Sequence, residues 1–165
     1  MHLVGIVMGS QSDLPVVKPA IELLKYFNVS VELRVLSAHR TPEEAASYAK
    51  DAYERGVEVI IAAAGKAAHL PGVLAAYTLL PVIGLPVKSS TMDGLDSLLS
   101  MVQMPKGIPV ATVAINGSEN AALLAVQMLA MKDKDLYNAL CEYRKKMRED
   151  VLKQDENIQR QMREL

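Results

Sequence analysis

Short aliphatic runs alternate along this chain with longer segments of helical periodicity. Continuous apolar runs predict strands at about residues 3–8, 31–36, 57–63, 81–85 and 109–114. Apolar residues spaced by three or four predict helices at about 13–27, 42–55, 70–78, 93–103, 118–131 and from 134 onward. Runs such as Val59-Ile60-Ile61-Ala62 are typical of strands that are buried on both faces of a parallel sheet. The pattern therefore predicts a doubly wound α/β sandwich of three layers, with helices on both faces of a five-stranded parallel sheet.

Length and charge distribution predict one domain with a helical extension. The 165 residues suit a single core, with residues 1–131 as the α/β body and residues 132–165 as a C-terminal helix of the same domain. The apolar stripe of that helix must pack on its own body or on a neighbouring subunit; it consists of Leu136, Leu140, Tyr143, Met147 and Val151. Because the body is poor in charged residues, we expect apolar surface there and a homo-oligomer.

Composition narrows the class of protein. The formal net charge of −1 gives no indication of a nucleic-acid or anionic-membrane partner. Cys141 is the single cysteine, so an intrachain disulfide is impossible, as is typical of a reducing cytoplasm. The chain opens directly into a strand-like run and has no long apolar stretch, so we expect neither a signal peptide nor a membrane span.

A polar turn follows the first predicted strand. Gly9 permits a tight turn, and the hydroxyls of Ser10 and Ser12 with the free N–H groups of the next helix can hold a phosphate. Asp13 could accept hydrogen bonds from both hydroxyls of a ribose. The alternative interpretation is that Ser12 or Asp13 only caps the helix.

The second predicted strand ends in Ser37-Ala38-His39-Arg40. Arg40 offers a planar fork for a phosphate, and an arginine beside a helix N-terminus is poorly placed for the helix dipole, which favours an anionic ligand. His39 is a candidate general acid or base, because histidine changes charge near neutral pH. The next four residues, Thr41-Pro42-Glu43-Glu44, predict a capping box at the start of the second helix.

The third predicted strand runs into a segment of small residues that contains a second histidine. The segment Ala64-Gly65-Lys66-Ala67-Ala68-His69 would let a flat ring approach the backbone closely. A lone histidine here would usually be a packed, hydrogen-bonded residue, but a second histidine at the end of another predicted strand favours a functional site. No spacing of His or Cys typical of a metal site is present.

Together these segments resemble the family of N5-carboxyaminoimidazole ribonucleotide mutases, bacterial enzymes of de novo purine synthesis. The resemblance runs from Val4 to about Met131 and includes Met8-Gly9-Ser10-x-Ser12-Asp13, Ser37-Ala38-His39-Arg40-Thr41-Pro42 and Ala67-Ala68-His69-Leu70-Pro71-Gly72. It continues through Gly94-x-Asp96-Ser97-Leu98, Val102-Gln103-Met104-Pro105 and Asn120-Ala121-Ala122-Leu123-Leu124. Several long motifs in the same order are highly specific.

The resemblance implies a flavodoxin-like sheet, an octamer with active sites between subunits, and neither a metal nor an organic cofactor. It implies catalytic roles for His39, which would transfer the proton, and for His69, which would line and polarise the pocket. Arg40 and the serines would hold the ribose phosphate, Asp13 the ribose, and Gly65 and its neighbours the imidazole and carboxyl groups. The substrate-binding residues implied in this way are Ser10, Ser12, Asp13, Ser37, Ala38, Arg40, Ala64, Gly65, Lys66 and Leu70.

Two positions depart from the mutase pattern, since Ala63 and Lys66 stand where the family commonly has glycine. Related animal-type carboxylases add free CO2 to aminoimidazole ribonucleotide and carry a cationic residue near position 66. They lack the His-Leu-Pro-Gly run, however, and usually have lysine in place of Arg40. A carboxylase is therefore the first alternative, and Lys66 could instead point to solvent or to a neighbouring subunit. A flavodoxin-like ligand-binding module without catalysis is the second alternative.

Overall fold

The computed structural model describes residues 2–163. Within these residues the strands are β1 (Leu3–Met8), β2 (Ser30–Val35), β3 (Val59–Gly65), β4 (Val82–Val87) and β5 (Ala111–Thr112). The helices are α1 (Leu14–Tyr26), α2 (Pro42–Asp51), α3 (Leu70–Tyr77), α4 (Leu95–Val102), α5 (Ser118–Ala130) and α6 (Lys134–Arg163), and a 3-10 turn spans Gln11–Asp13. Every predicted strand and helix is present in the predicted order.

The sheet is parallel throughout, with strand order β2-β1-β3-β4-β5. This is the flavodoxin-like order of a doubly wound sheet, so the predicted fold class is confirmed. The chain reverses its direction of winding between β1 and β3. Ligands of such sheets bind outside the carboxyl ends of the strands at that switch point.

The core lies around the three central strands. The side chains of β1, β3 and β4 are almost all buried, and Ile6, Ile60 and Ile83 are fully enclosed. The prediction that the strands are buried on both faces is wrong for β2, where Leu33 and Val35 are exposed. The physical reason is the position of β2 at the edge of the sheet, where it pairs only with β1.

The fifth strand is much shorter than the predicted range of 109–114. Only Ala111 and Thr112 belong to β5, where they pair with Ile83 and Gly84 of β4. β5 lies at the other edge of the sheet, and Pro109 has no N–H group to donate to a neighbouring strand. The apolar run therefore overstates the length of the paired segment.

The chain divides into two compact units, the first ending at Leu129 and the second beginning at Ala130. The second unit contains α6, in which Leu136 and Leu140 of the predicted stripe are buried while Met147 and Val151 are exposed. Residues 164 and 165 of the predicted C-terminal helix lie outside the described residues. In the described part of the chain, no helix is long and apolar enough to cross a membrane.

Candidate functional site

A cleft of about 610 Å³ lies at the carboxyl ends of four neighbouring strands. Every residue proposed above for catalysis or substrate binding lines it, so the structure brings all of these candidates together. The lining consists of Gly9, Ser10, Ser12, Asp13, Ser37, Ala38, His39, Arg40, Ala64, Gly65, Lys66, Ala67, His69, Leu70, Val87, Lys88, Ser89 and Ser90.

The turn after β1 is stabilised by its own side chains. Ser10 caps the 3-10 turn, its Oγ accepting a bond from the Ser12 backbone N–H at 3.3 Å. Asp13 Oδ2 accepts a bond from the Ser10 backbone N–H at 3.2 Å, which completes a capping box. The Ser12 hydroxyl donates to Ser10 Oγ at 2.8 Å. Capping and a ligand-binding role are compatible here, because these caps keep both serines on the cleft wall.

Asp13 is the most enclosed polar residue of the turn. Burial raises the pKa of its carboxyl, although the hydrogen bonds from Ser10 and Ser12 and the charge of Arg40 oppose this effect. The side chain is 9% exposed and faces the cleft. A buried carboxylate that is only partly satisfied by the protein is well suited to accept hydrogen bonds from ligand hydroxyls.

Arg40 is held by hydrogen bonds to the segments that follow β1 and β2. Its Nη2 donates to the Gly9 carbonyl at 3.0 Å, and its Nε lies 3.4 Å from Ser37 Oγ. The predicted capping box at Thr41 is wrong. The Thr41 hydroxyl instead accepts a bond from the Ser37 N–H at 2.8 Å and donates to the Ser37 carbonyl at 3.1 Å. It therefore braces the loop that presents Ser37 and Arg40.

The two histidines are in direct contact. His39 Nε2 lies 2.9 Å from His69 Nδ1, and the rings meet edge to face with 5.0 Å between their centroids. A hydrogen bond between two imidazole nitrogens requires one proton between them, so one ring donates and the other accepts. Both rings are exposed to solvent in the single chain. The pair can therefore hold a proton at the cleft surface and pass it to a ligand.

Small residues form the wall beside this pair. Ala64 and Leu70 are buried, and Gly65 leaves the backbone open next to His69. The Gly9 N–H donates to the Ala63 carbonyl at 3.0 Å, which ties the turn after β1 to this wall. A planar ligand can therefore contact the backbone between the two histidines and the serine turn.

Lys66 has a left-handed backbone, with φ at +57°. Residues other than glycine, asparagine and aspartate rarely adopt this backbone conformation, because Cβ crowds the neighbouring carbonyl. We expect Lys66→Gly to relieve about 1 kcal/mol of backbone strain and so to raise the free energy of unfolding. The extra conformational entropy of glycine in the unfolded chain offsets part of this gain. Urea denaturation followed by circular dichroism measures this change.

Lys106→Gly is the matched control, because Lys106 is exposed and is not among the residues with positive φ. This variant loses the same side chain without relief of strain, and we expect it to be slightly destabilising. An unfolding free energy for Lys66→Gly that is no higher than that of Lys106→Gly would contradict the assignment of strain.

Six cleft residues were not predicted as site residues. Gly9 and Ala67 adjoin predicted residues, whereas Val87, Lys88, Ser89 and Ser90 belong to a strand end that was not considered. Val87 ends β4 and the other three of this group follow it; β4 pairs with β3 in parallel, so the ends of the two strands lie at the same edge of the sheet. Polar residues directly after a buried strand were the available signal. Residues 103–109 are not part of this lining. Among the described residues, no group of three His, Cys, Asp or Glu side chains could hold a metal ion.

Comparisons with known proteins agree with this site. Residues 3–150 match the profile of a family described as AIR carboxylase. A Pyrococcus abyssi protein named N5-carboxyaminoimidazole ribonucleotide mutase is 60% identical over 148 residues, which cover 90% of this chain and 85% of that protein. A Vigna aconitifolia protein named chloroplastic phosphoribosylaminoimidazole carboxylase is 54% identical over 158 residues, which cover 96% of this chain and 28% of that protein. The crystal structure of Treponema denticola PurE has a TM-score of 0.86 and 30% identity, covering 95% of this chain and 98% of that one.

Proposed function

This chain belongs to the AIR carboxylase family, and from that premise we propose that it is an isomerase of de novo purine biosynthesis. It interconverts N5-carboxyaminoimidazole ribonucleotide and 4-carboxy-5-aminoimidazole ribonucleotide. The observation that carries the proposal is the hydrogen-bonded pair of His39 and His69, which shares one cleft with Arg40. One end of the cleft suits a phosphate and the other presents a proton carrier beside an apolar wall.

The phosphate end consists of Arg40 with the hydroxyls of Ser10, Ser12 and Ser37. Arg40 and Ser37 are linked by two contacts, from the Arg40 backbone N–H at 3.2 Å and from its Nε at 3.4 Å. An arginine fork with several hydroxyls matches the geometry of a phosphate monoester. The neighbouring Asp13 then meets the ribose, which directs the base toward Gly65 and the histidines.

The reaction requires the enzyme to donate one proton in its first step and to take up one proton in its last step. When the bond between the exocyclic nitrogen and the carboxyl carbon breaks, its electron pair stays on nitrogen, which takes up one proton as CO2 is released. The ring carbon then attacks CO2, and one proton leaves that carbon to restore the aromatic ring. The two protons cancel, so His39 ends in the state in which it began, with His69 sharing its proton.

The deciding assay supplies N5-carboxyaminoimidazole ribonucleotide without ATP or bicarbonate and measures formation of the carbon-carboxylated isomer. We expect turnover under these conditions. Turnover only with aminoimidazole ribonucleotide and CO2 would instead identify a carboxylase. The carboxylase named above shares 54% identity but is much longer, with this chain spanning 28% of it, whereas this chain covers 85% of the archaeal mutase. The mutase is therefore the better match.

We also propose that the chain forms a homo-oligomer, specifically an octamer, and that it works in the cytoplasm. On α4, Leu95, Leu99 and Val102 lie one helical turn apart on the same face and are 46%, 50% and 48% exposed. Contiguous apolar surface of this kind usually marks an interface. The exposure of both histidines in the single chain has the same explanation, because a neighbouring copy could cover the cleft and keep CO2 from escaping.

Sedimentation and light scattering test the assembly. We expect a species of several subunits at micromolar concentration, and Leu99→Glu to shift it toward smaller species by burying an unpaired charge in the interface. A wild-type chain that is monomeric at that concentration would contradict the proposal. Exposed Tyr53, on the turn after α2, supplies the control variant Tyr53→Glu, which leaves α4 unchanged.

A further inference from the structure

Two lysines directly follow adjacent strands, at the side of the cleft away from Arg40. Gly65 of β3 pairs with Val87 of β4, so the next residue on each strand is a lysine, Lys66 and Lys88. Both line the cleft, and both are exposed to solvent. Adjacent parallel strands lie about 4.8 Å apart, so the two ammonium groups can reach the same small anion.

The end of β4 is held in place by hydrogen bonds to residues outside the cleft lining. The Lys88 backbone N–H donates to Asn116 Oδ1 at 2.9 Å, and the fully buried Ser97 donates to the Val87 carbonyl at 2.9 Å. Ser89, itself 6% exposed, donates to Asp96 Oδ1 at 2.8 Å. The backbone that carries Lys88 is therefore well positioned before any ligand arrives.

The Lys88 side chain already holds one carboxylate. Its Nζ lies 3.0 Å from Asp93 Oδ1, and both side chains are largely exposed, at 56% and 82%. An exposed ion pair of this kind contributes little stability and exchanges readily with other anions. The Asp93 carboxylate therefore binds the Lys88 ammonium group in the same way as a ligand carboxylate would.

The cleft consequently has cations at both of its ends. Among the described lining residues, Arg40 follows β2, Lys66 follows β3 and Lys88 follows β4, against the single carboxylate of Asp13. The ends of β2 and β4 are three strand spacings apart, about 14 Å. Because arginine and lysine side chains are long, the distance between their cationic groups can be shorter and match the length of a ribonucleotide. This arrangement fits a ligand with an anionic group at each end.

Resting on the function proposed above, we infer that Lys66 and Lys88 form a second anion subsite, which holds the carboxylate that the reaction moves. The ribose phosphate lies at Arg40, and the carboxylate is bound between the lysines and the histidine pair. The subsite favours the carboxylated ribonucleotides over aminoimidazole ribonucleotide, which has no carboxylate. Lys66 and Lys88 thus determine which ribonucleotide the site holds.

Calorimetry on the purified oligomer tests this with two ligands, aminoimidazole ribonucleotide and its 4-carboxylated form. We expect Lys66→Met and Lys88→Met each to weaken the carboxylated ligand about tenfold, the loss of one charge-assisted hydrogen bond, and to change the uncarboxylated ligand less than twofold. Lys106→Met, outside the cleft lining, is the charge-matched control and should change neither. An equal loss for both ligands, or no loss for either, would overturn the subsite.

Asp93→Asn gives a prediction of opposite sign. Asp93 has φ at +57°, a conformation that asparagine tolerates as well as aspartate, so this substitution removes the charge without disturbing the backbone. With its competitor neutral, Lys88 is free for the ligand, and we expect the carboxylated ribonucleotide to bind severalfold more tightly. An unchanged or weaker affinity in this variant would count against the role of Lys88.

Malonate separates failure of the subsite from failure of the proposed function. A wild-type protein that binds neither ribonucleotide contradicts the proposed function. The subsite is then tested by malonate binding, measured by NMR. Malonate binding that is lost in Lys88→Met and strengthened in Asp93→Asn would support a carboxylate subsite by itself. Malonate binding that is absent, or the same in all variants, would refute it.

Discussion

His39→Asn is expected to slow turnover about a thousandfold while leaving the substrate bound. General acid–base catalysis contributes factors of about 10² to 10⁴, and asparagine cannot carry a proton between the exocyclic nitrogen and the ring carbon. We expect kcat to fall about a thousandfold and the dissociation constant of the ribonucleotide to change only a few fold. The phosphate and ribose contacts proposed for Arg40 and Asp13 do not involve His39. Single-turnover kinetics and calorimetry measure the two quantities separately.

The paired histidine refines this test. His69 meets His39 through its Nδ1, a position that the side-chain amide of asparagine mimics and that of glutamine does not. His69→Asn should therefore retain more activity than His69→Gln if the contact orients His39. His2→Asn is the control, because His2 is paired with Glu58 at 2.7 Å and is not part of the cleft lining. Normal turnover in His39→Asn would remove His39 from the mechanism.

Gly5→Ala is expected to have the largest effect on stability. Gly5 lies in the centre of β1, and a Cβ placed there would overlap the hydroxyl of Tyr48 and press on Val57 Cγ1 at 3.3 Å. The Tyr48 ring cannot move aside easily, since Arg55 stacks on it at 4.7 Å from the ring centroid. Overpacking a core in this way costs about 3 kcal/mol, which urea denaturation would measure as a lower free energy of unfolding.

Tyr48→Phe provides the rescue. The Tyr48 hydroxyl is buried and has no hydrogen-bond partner among the described residues, and burial together with the nearby Glu32 carboxylate raises its pKa. Its removal should therefore cost little by itself. Without the hydroxyl, the nearest atom of the ring lies 3.5 Å from the position that the alanine methyl would take, so Gly5→Ala should be tolerated in the Tyr48→Phe background.

The double-mutant cycle decides between contact and backbone effects. A destabilisation that persists in the double variant would show that Gly5 is needed for its backbone and not for the space that Tyr48 occupies. Gly9→Ala is the matched control, because a Cβ there would have its nearest neighbours at 3.9 Å, an ordinary van der Waals distance. We expect that variant to change the free energy of unfolding by less than about 1 kcal/mol.

The periodicity of the chain was sufficient to predict the order of strands and helices, because each element is long enough to show its own spacing. The same pattern overstated β5 and misassigned the environment of β2, since burial depends on how many neighbours a strand has in the sheet. The predicted capping box at Thr41 failed for a related reason. A side chain that can cap a helix can also bond to a nearby loop, and here it bonds to Ser37.

The site residues on the first three strands could be predicted because each group of them follows an apolar run, and parallel strands end at a common edge. The sequence alone therefore predicts the parallel α/β fold and the candidate chemistry at each strand end. Which strand ends are neighbours follows from the tertiary structure. In the order β2-β1-β3-β4-β5 the ends of β2 and β3 lie on either side of β1, and His39 contacts His69 at 2.9 Å. Because β3 pairs with β4, Lys66 and Lys88 follow adjacent strand ends although they are far apart in the chain. Strand order depends on long-range packing, which local spacing does not encode.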